Sequence, residues 1–113
     1  MHSALLSFMK GVKNVIRGTT PTHTFNLPID TVLVDKIKIT YAQKDAVVLT
    51  KEKADCKMEG NTVTVKLTQE ETLLFNHNDS CQIQIRVLTT GGDSLASGIR
   101  RIEVDKLLEE GVI

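Results

Sequence analysis

The stretch CKMEGNTVTVKLTQEETLLF, residues 56–75, decides the fold. Its middle alternates without a break: Val63, Val65 and Leu67 share one parity, and Thr62, Thr64 and Lys66 take the other. A period of two in β-branched residues marks a strand with one buried and one wet face. Upstream, Cys56 and Met58 share a parity and Glu59-Gly60-Asn61 makes a turn, so the segment opens as a hairpin. Downstream, Thr68-Gln69-Glu70-Glu71 reads as a capping box, with Thr68 as N-cap and Glu71 three residues on. Only Leu73, Leu74 and Phe75 follow before a polar loop, which leaves room for one or two helical turns used as a crossover.

The same period recurs on both sides. His23 to Leu27 alternates and stops at Pro28, which suits the end of an edge strand. Ile37, Ile39 and Tyr41 share a face, and the turn Gln43-Lys44-Asp45 leads into Ala46–Thr50, a short apolar run that predicts a more fully buried strand. Cys81, Ile83, Ile85 and Val87 point inward in another alternating strand, and Gly91-Gly92-Asp93 supplies a tight turn. From Leu95 to Val104 the apolar parity slips between Ile99 and Ile102, which predicts a bulge at Arg100–Arg101. The tail from Asp105 to Ile113 suggests a short helix through Leu107 and Leu108.

Residues 1–16 differ. Leu5, Phe8, Met9, Val12 and Ile16 recur at helical spacing, with Gly11 weakening the pattern and Pro21 closing the segment. The segment reads as a loosely ordered leader or as an amphipathic helix for a partner or a membrane surface. The expected organisation is therefore a leader or arm over 1–21, a β domain over 22–104 and a tail over 105–113.

Short strands with turn signals about every ten residues predict an all-β fold. The expected architecture is a small antiparallel β-sandwich, immunoglobulin-like, with about six to eight strands and one short helical turn. At 113 residues the chain suffices for one core without metals or disulfides.

Fourteen basic and fourteen acidic residues give zero formal charge. A neutral chain without a basic stripe is a poor ligand for nucleic acid, while self-association meets no net electrostatic opposition. No stretch approaches the roughly 20 apolar residues that cross a bilayer, and no cleavage site follows a clean apolar run, so the chain reads as non-secreted. Cys56 and Cys81 match no zinc or redox spacing. They read as two buried thiols, with a disulfide as the alternative.

The chemistry-bearing residues do not assemble into a motif. His2 lies in the leader, His23 reads as a half-exposed strand residue and His77 as a loop residue. Glu70 and Glu71 point apart on one turn, and Glu109 and Glu110 fall in the tail. Asn76, Asn78 and Asp79 lack the distal glutamate of a calcium loop, and no glycine-rich phosphate loop exists. Phe25, Tyr41 and Phe75 take inward positions, which removes a stacking platform for sugars or bases. The reading is no enzyme, no cofactor, no metal and no small-molecule substrate. What remains are surfaces, with Lys36, Lys38, Thr40, Thr62, Thr64, Lys66, Gln82, Gln84 and Arg86 pointing out as a solvated face or a polar subunit interface. The strand at Phe25 and Leu27 is a possible edge interface for an added peptide strand, as in an adaptor domain.

The runs IRGTTPTHTFNLP, KITYAQKDAVVLTK, GNTVTVKLTQEETLLF and QIQIRVLTTGGDSLASGI, over about residues 16–104, resemble small structural proteins of Firmicutes prophages. They are also similar to the N-terminal β-sandwich domain of phage baseplate upper proteins. Val63, Val65, Leu67, Thr68, Glu71 and Thr72 carry the core of that resemblance. It implies a tail or baseplate component that assembles with copies of itself and with other virion proteins, without catalysis. Its place would be the virion, or the cytoplasm of the bacterial host during assembly.

Overall fold

The computed structural model describes residues 12–113. In chain order its strands are β1 (Val15–Ile16), β2 (Thr22–Asn26), β3 (Val34–Gln43), β4 (Ala46–Glu52), β5 (Cys56–Glu59) and β6 (Thr62–Lys66). After the one-turn helix α1 (Gln69–Thr72) come β7 (Cys81–Thr89), β8 (Ser94–Ala96), β9 (Arg100–Ile102) and β10 (Val104–Asp105). Two 3-10 turns, Thr31–Leu33 and Lys53–Asp55, bend the chain between strands.

Two antiparallel sheets form. The smaller has the order β2-β6-β5; the larger runs β4-β3-β7, with β8 and β9 both on the far side of β7. Strands β1 and β10 add a short parallel ribbon. With β2 to β7 lettered B, C, C′, D, E and F, the layers are B-E-D and C′-C-F-G, the division of an immunoglobulin-like sandwich of variable type. The alternation in residues 62–67 sets the interior: Phe25, Val63 and Val65 from one sheet meet Ile37, Ile39, Tyr41, Ile83, Ile85 and Val87 from the other in one core. Each such side chain contributes about 1.5–3 kcal/mol on burial.

Turn chemistry fixes register. Lys44 and Asp45 both have positive φ, as a two-residue type I′ hairpin requires, and Gly60 at φ +59° opens the β5–β6 hairpin. The capping box forms as the sequence predicts. Thr68 Oγ1 accepts from the Glu71 N–H at 3.1 Å, and Glu71 Oε1 accepts from the Thr68 N–H at 2.9 Å.

Several expectations are corrected. The sandwich has ten strands rather than six to eight, because the last strand breaks in three and β1 joins the fold. It begins before residue 22: Val12 and Val15 lie in the core, and β1 pairs with β10. No helix covers 12–16; the leader positions Leu5, Phe8, Met9 and His2 lie outside the described residues. Strand β4 is an edge strand, with Val47 64% exposed rather than buried, since it has one neighbour and a bulge opposite Tyr41 and Ala42. The interruption of the last strand sits at residues 97–99, not at Arg100–Arg101. There Ser97 Oγ takes the Ile85 N–H that a backbone carbonyl would otherwise accept. The tail forms no helix; Leu107 instead packs where a Cβ on Gly18 would come within 2.6 Å of its Cδ1, and Glu110 pairs with Arg17.

Candidate functional site

The polar groups that burial perturbs most lie inside the protein. His23 shares its parity with Phe25 and Leu27, so β2 turns it inward, and it is buried at 0% exposure rather than half exposed. Its Nδ1 lies 2.7 Å from the Tyr41 hydroxyl and its Nε2 3.2 Å from the Lys13 carbonyl oxygen. A carbonyl can only accept, so Nε2 carries the proton and Nδ1 accepts from Tyr41. Both ring nitrogens are satisfied in the neutral form. Burial pulls the pKa from 6.5 down to about 4, against a smaller upward push from the Lys13 carbonyl. Tyr41 is driven well above its ordinary value, first by burial and then by the nearby thiols Cys81 and Cys56. Its ring stacks on His23 and tilts against Phe75.

The hydrogen bonds of His23 tie the segment before β1 to both sheets. The thiols are free, and burial lifts Cys56 to about 11 and Cys81 to about 12, which favours the protonated thiol. Cys81 is fully buried and Cys56 half-buried. His77 is exposed in the loop after α1. Among the described residues no three His, Cys, Asp or Glu side chains come together to hold a metal ion.

The remaining polar side chains near the core also brace the fold. Lys51 points inward from β4, opposite Ile39, and its ammonium pairs with Glu71. Partial burial alone would raise the Glu71 carboxyl, but the Lys51 ammonium and the Thr68 N–H outweigh it and hold the pKa below its ordinary value. Gln43 is buried; its amide donates to the Asn76 and Asp79 carbonyls and accepts from the Asn76 N–H, fixing the polar loop. Gln82 is not on the outward face the sequence suggests. It is buried, and its amide grips the backbone N–H and carboxylate of Asp45 in the β3–β4 turn. Sequence periodicity signals the inward parity of His23; nothing local signals that of Lys51 or the long-range partners of Gln43 and Gln82.

Two surfaces remain. Among the described residues strand β2 ends the smaller sheet, but the Phe25 and Leu27 side chains belong to the core, so a partner there would meet backbone rather than those residues. The Leu67 N–H bonds to Pro21 and the Leu27 N–H to Asn61, so by alternation the Thr22 and Thr24 backbone groups face away from β6. The second surface is the outer face of the larger sheet, where Lys36, Lys38 and Thr40 of β3 lie beside Leu88, Arg86 and Gln84 of β7. It holds a shallow groove of about 560 Å³ between the start of β3, the 3-10 turn after β4 and the end of β7. Val47 and Ile99 flank a smaller depression farther along the same face.

No helix among the described residues is long and apolar enough to cross a membrane. No family model matches the chain. No curated protein matches it. Among solved structures, the V domain of amphioxus IgVJ-C2 is similar at 11% identity with a TM-score of 0.35, over 81% of this chain and 98% of that one.

Proposed function

We propose that this protein is a non-catalytic assembly module of a phage or prophage virion, of tail or baseplate type, that acts through protein–protein contacts. The observation that carries the reading is the placement of its polar groups. His23, Lys51 and Gln82 are locked into the core, the cap and the turns, whereas among the described residues the β2 edge and a broad sheet face are left for partners. The resemblance to baseplate upper domains supports the virion role, and the neutral net charge leaves self-association unopposed. Light scattering of the full chain from micromolar to millimolar concentration, with and without tail proteins, tests it. Defined oligomers or a stoichiometric complex are expected; a strict monomer that binds no virion protein refutes the reading.

The β2 edge favours a second reading, an adaptor that takes up a partner strand. Thr24→Pro discriminates the two, because it removes an N–H that points away from β6 and leaves the internal ladder intact. Strand addition is lost in this variant, whereas assembly through the sheet face persists.

A further inference from the structure

On the outer face of the larger sheet, Lys38 of β3 stands directly opposite Arg86 of β7, and Lys36 is the diagonal neighbour of Arg86. Directly opposed like charges destabilise a sheet, and diagonal neighbours lie about 7–8 Å apart, within each other's field. Among the described residues, Lys36, Lys38 and Arg86 are all exposed, with no ion pair or side-chain hydrogen bond. Three other cations among the described residues are paired: Arg17 with Glu110, Lys44 with Asp79, Lys51 with Glu71. The acid across from Lys38 is Glu52, whose backbone N–H donates to the Asp55 carboxylate, and Asp35 lines the same groove. Lys53, also on the groove, donates to the Val34 carbonyl. The fold therefore gathers three cations without an ion pair of their own in a groove that Asp35 and Glu52 also line, and the directly opposed pair costs stability.

From this juxtaposition we infer that the groove docks an extended acidic segment of a protein partner. Lys36 and Lys38 are two residues apart on one strand, so their ammonium groups repeat at about 6.7 Å. Carboxylates on alternate residues of an extended chain repeat at the same distance. The guanidinium of Arg86 adds a planar fork suited to a bidentate carboxylate. A nucleic acid is a poorer fit, because its affinity accumulates over many phosphate contacts and this cluster offers three on a chain of zero net charge. The inference rests on the assembly reading and names the chemistry of the partner surface.

The test uses the full chain and two labelled synthetic peptides, one alternating glutamate and threonine, the other glutamine and threonine, read by fluorescence anisotropy. The glutamate peptide binds about tenfold or more tightly than its neutral twin at low salt, and the difference shrinks as salt rises. The double variant K38Q/R86Q abolishes the difference, while K57Q on the other sheet leaves it unchanged. K38Q alone raises Tm by about 1–6 °C through relief of the opposed charges. Equal affinity for the two peptides, undiminished binding by K38Q/R86Q, tighter binding of a single-stranded oligonucleotide, or a lower Tm for K38Q each overturns the inference. Self-assembly or virion-protein binding that survives K38Q/R86Q also overturns it and leaves the assembly reading standing. Peptide binding by a chain that neither self-assembles nor binds virion proteins refutes the assembly reading and supports the groove.

Discussion

Mild acid should unfasten this protein through one side chain. His23 is fully buried and neutral, its Nδ1 accepting from Tyr41 and its Nε2–H donating to the Lys13 carbonyl. In the unfolded chain it takes up a proton near pH 6.5, whereas in the folded protein burial delays that until about pH 4. Between those values the unfolded state binds more protons, so stability is complete above about pH 6.5 and falls as pH drops toward 4. The gap of about 2.5 pH units, at 1.36 kcal/mol each, amounts to roughly 3 kcal/mol. That is a large share of the roughly 5–15 kcal/mol that holds a domain together. The physical cause is double: the imidazolium is desolvated, and a protonated Nδ1 can no longer accept from Tyr41.

Urea unfolding at half-unit steps from pH 7.5 to 4.5, with the m-value checked for constancy, measures this directly. The groups that face His23 are Tyr41, which stays protonated throughout, and the neutral thiols beyond it. Glu71 has a depressed pKa, so its contribution is lost only at lower pH, as pH falls through its folded value. His23→Gln removes the titrating group and should flatten the profile between pH 6.5 and 4.5, at the cost of a lower plateau at pH 7. A wild-type loss below about 1 kcal/mol over that range, or an unchanged slope in His23→Gln, refutes the reasoning.

Thr68→Ala removes the oxygen that accepts from the Glu71 N–H and should cost about 1 kcal/mol, read as a lower urea midpoint at constant m. Gly18→Ala forces a side chain onto a φ of +76° and brings its Cβ to 2.6 Å from Leu107 Cδ1. It should destabilise by about 1–2 kcal/mol and speed proteolysis within the last seven residues, because the tail loses its seat.

What the sequence made legible follows the strength of its alternation. Residues 62–67, 37–41 and 81–87 carry apolar side chains at every second position, and their inward faces form the core as read. The capping box was legible for a similar reason, since both of its hydrogen bonds close within four residues. Residue type favours a half-exposed His23, whereas its parity with Phe25 and Leu27 places it inside, and parity decides. Val12 and Ile16 fall at helical spacing, yet Val12 lies in the core and Ile16 sits in β1, which pairs with β10 at the other end of the chain, and no local pattern encodes that. The amide locks of Gln43 and Gln82 span more than thirty residues each and are equally silent in the sequence. The apolar run of β4 misled in the opposite direction, because position at a sheet edge, not composition, decides exposure there.

Edges explain why one of these surfaces is more available to a partner than the others. Strand β4 is guarded twice, by the bulge against β3 and by Lys51, whose inward charge on the Glu71 carboxylate would be exposed by any shift of the strand. Strand β5 is four residues long and carries Lys57 and Glu59, and the β8–β9 side is broken at Ser97. Among the described residues β2 has neither bulge nor charge, only the threonines Thr22 and Thr24 and Asn26 on its wet face. Pro21 and Pro28 bracket it, so an added strand has about five residues to pair with. Five residues of backbone pairing give direction but little selectivity, since the Phe25 and Leu27 side chains are spent on the core. Selectivity has to come from side chains that the fold leaves without an ion pair, and Lys36, Lys38 and Arg86 on the opposite sheet are three of these. The two surfaces lie on different layers of the sandwich, which lets one protein hold two partners, or two copies of itself, at once.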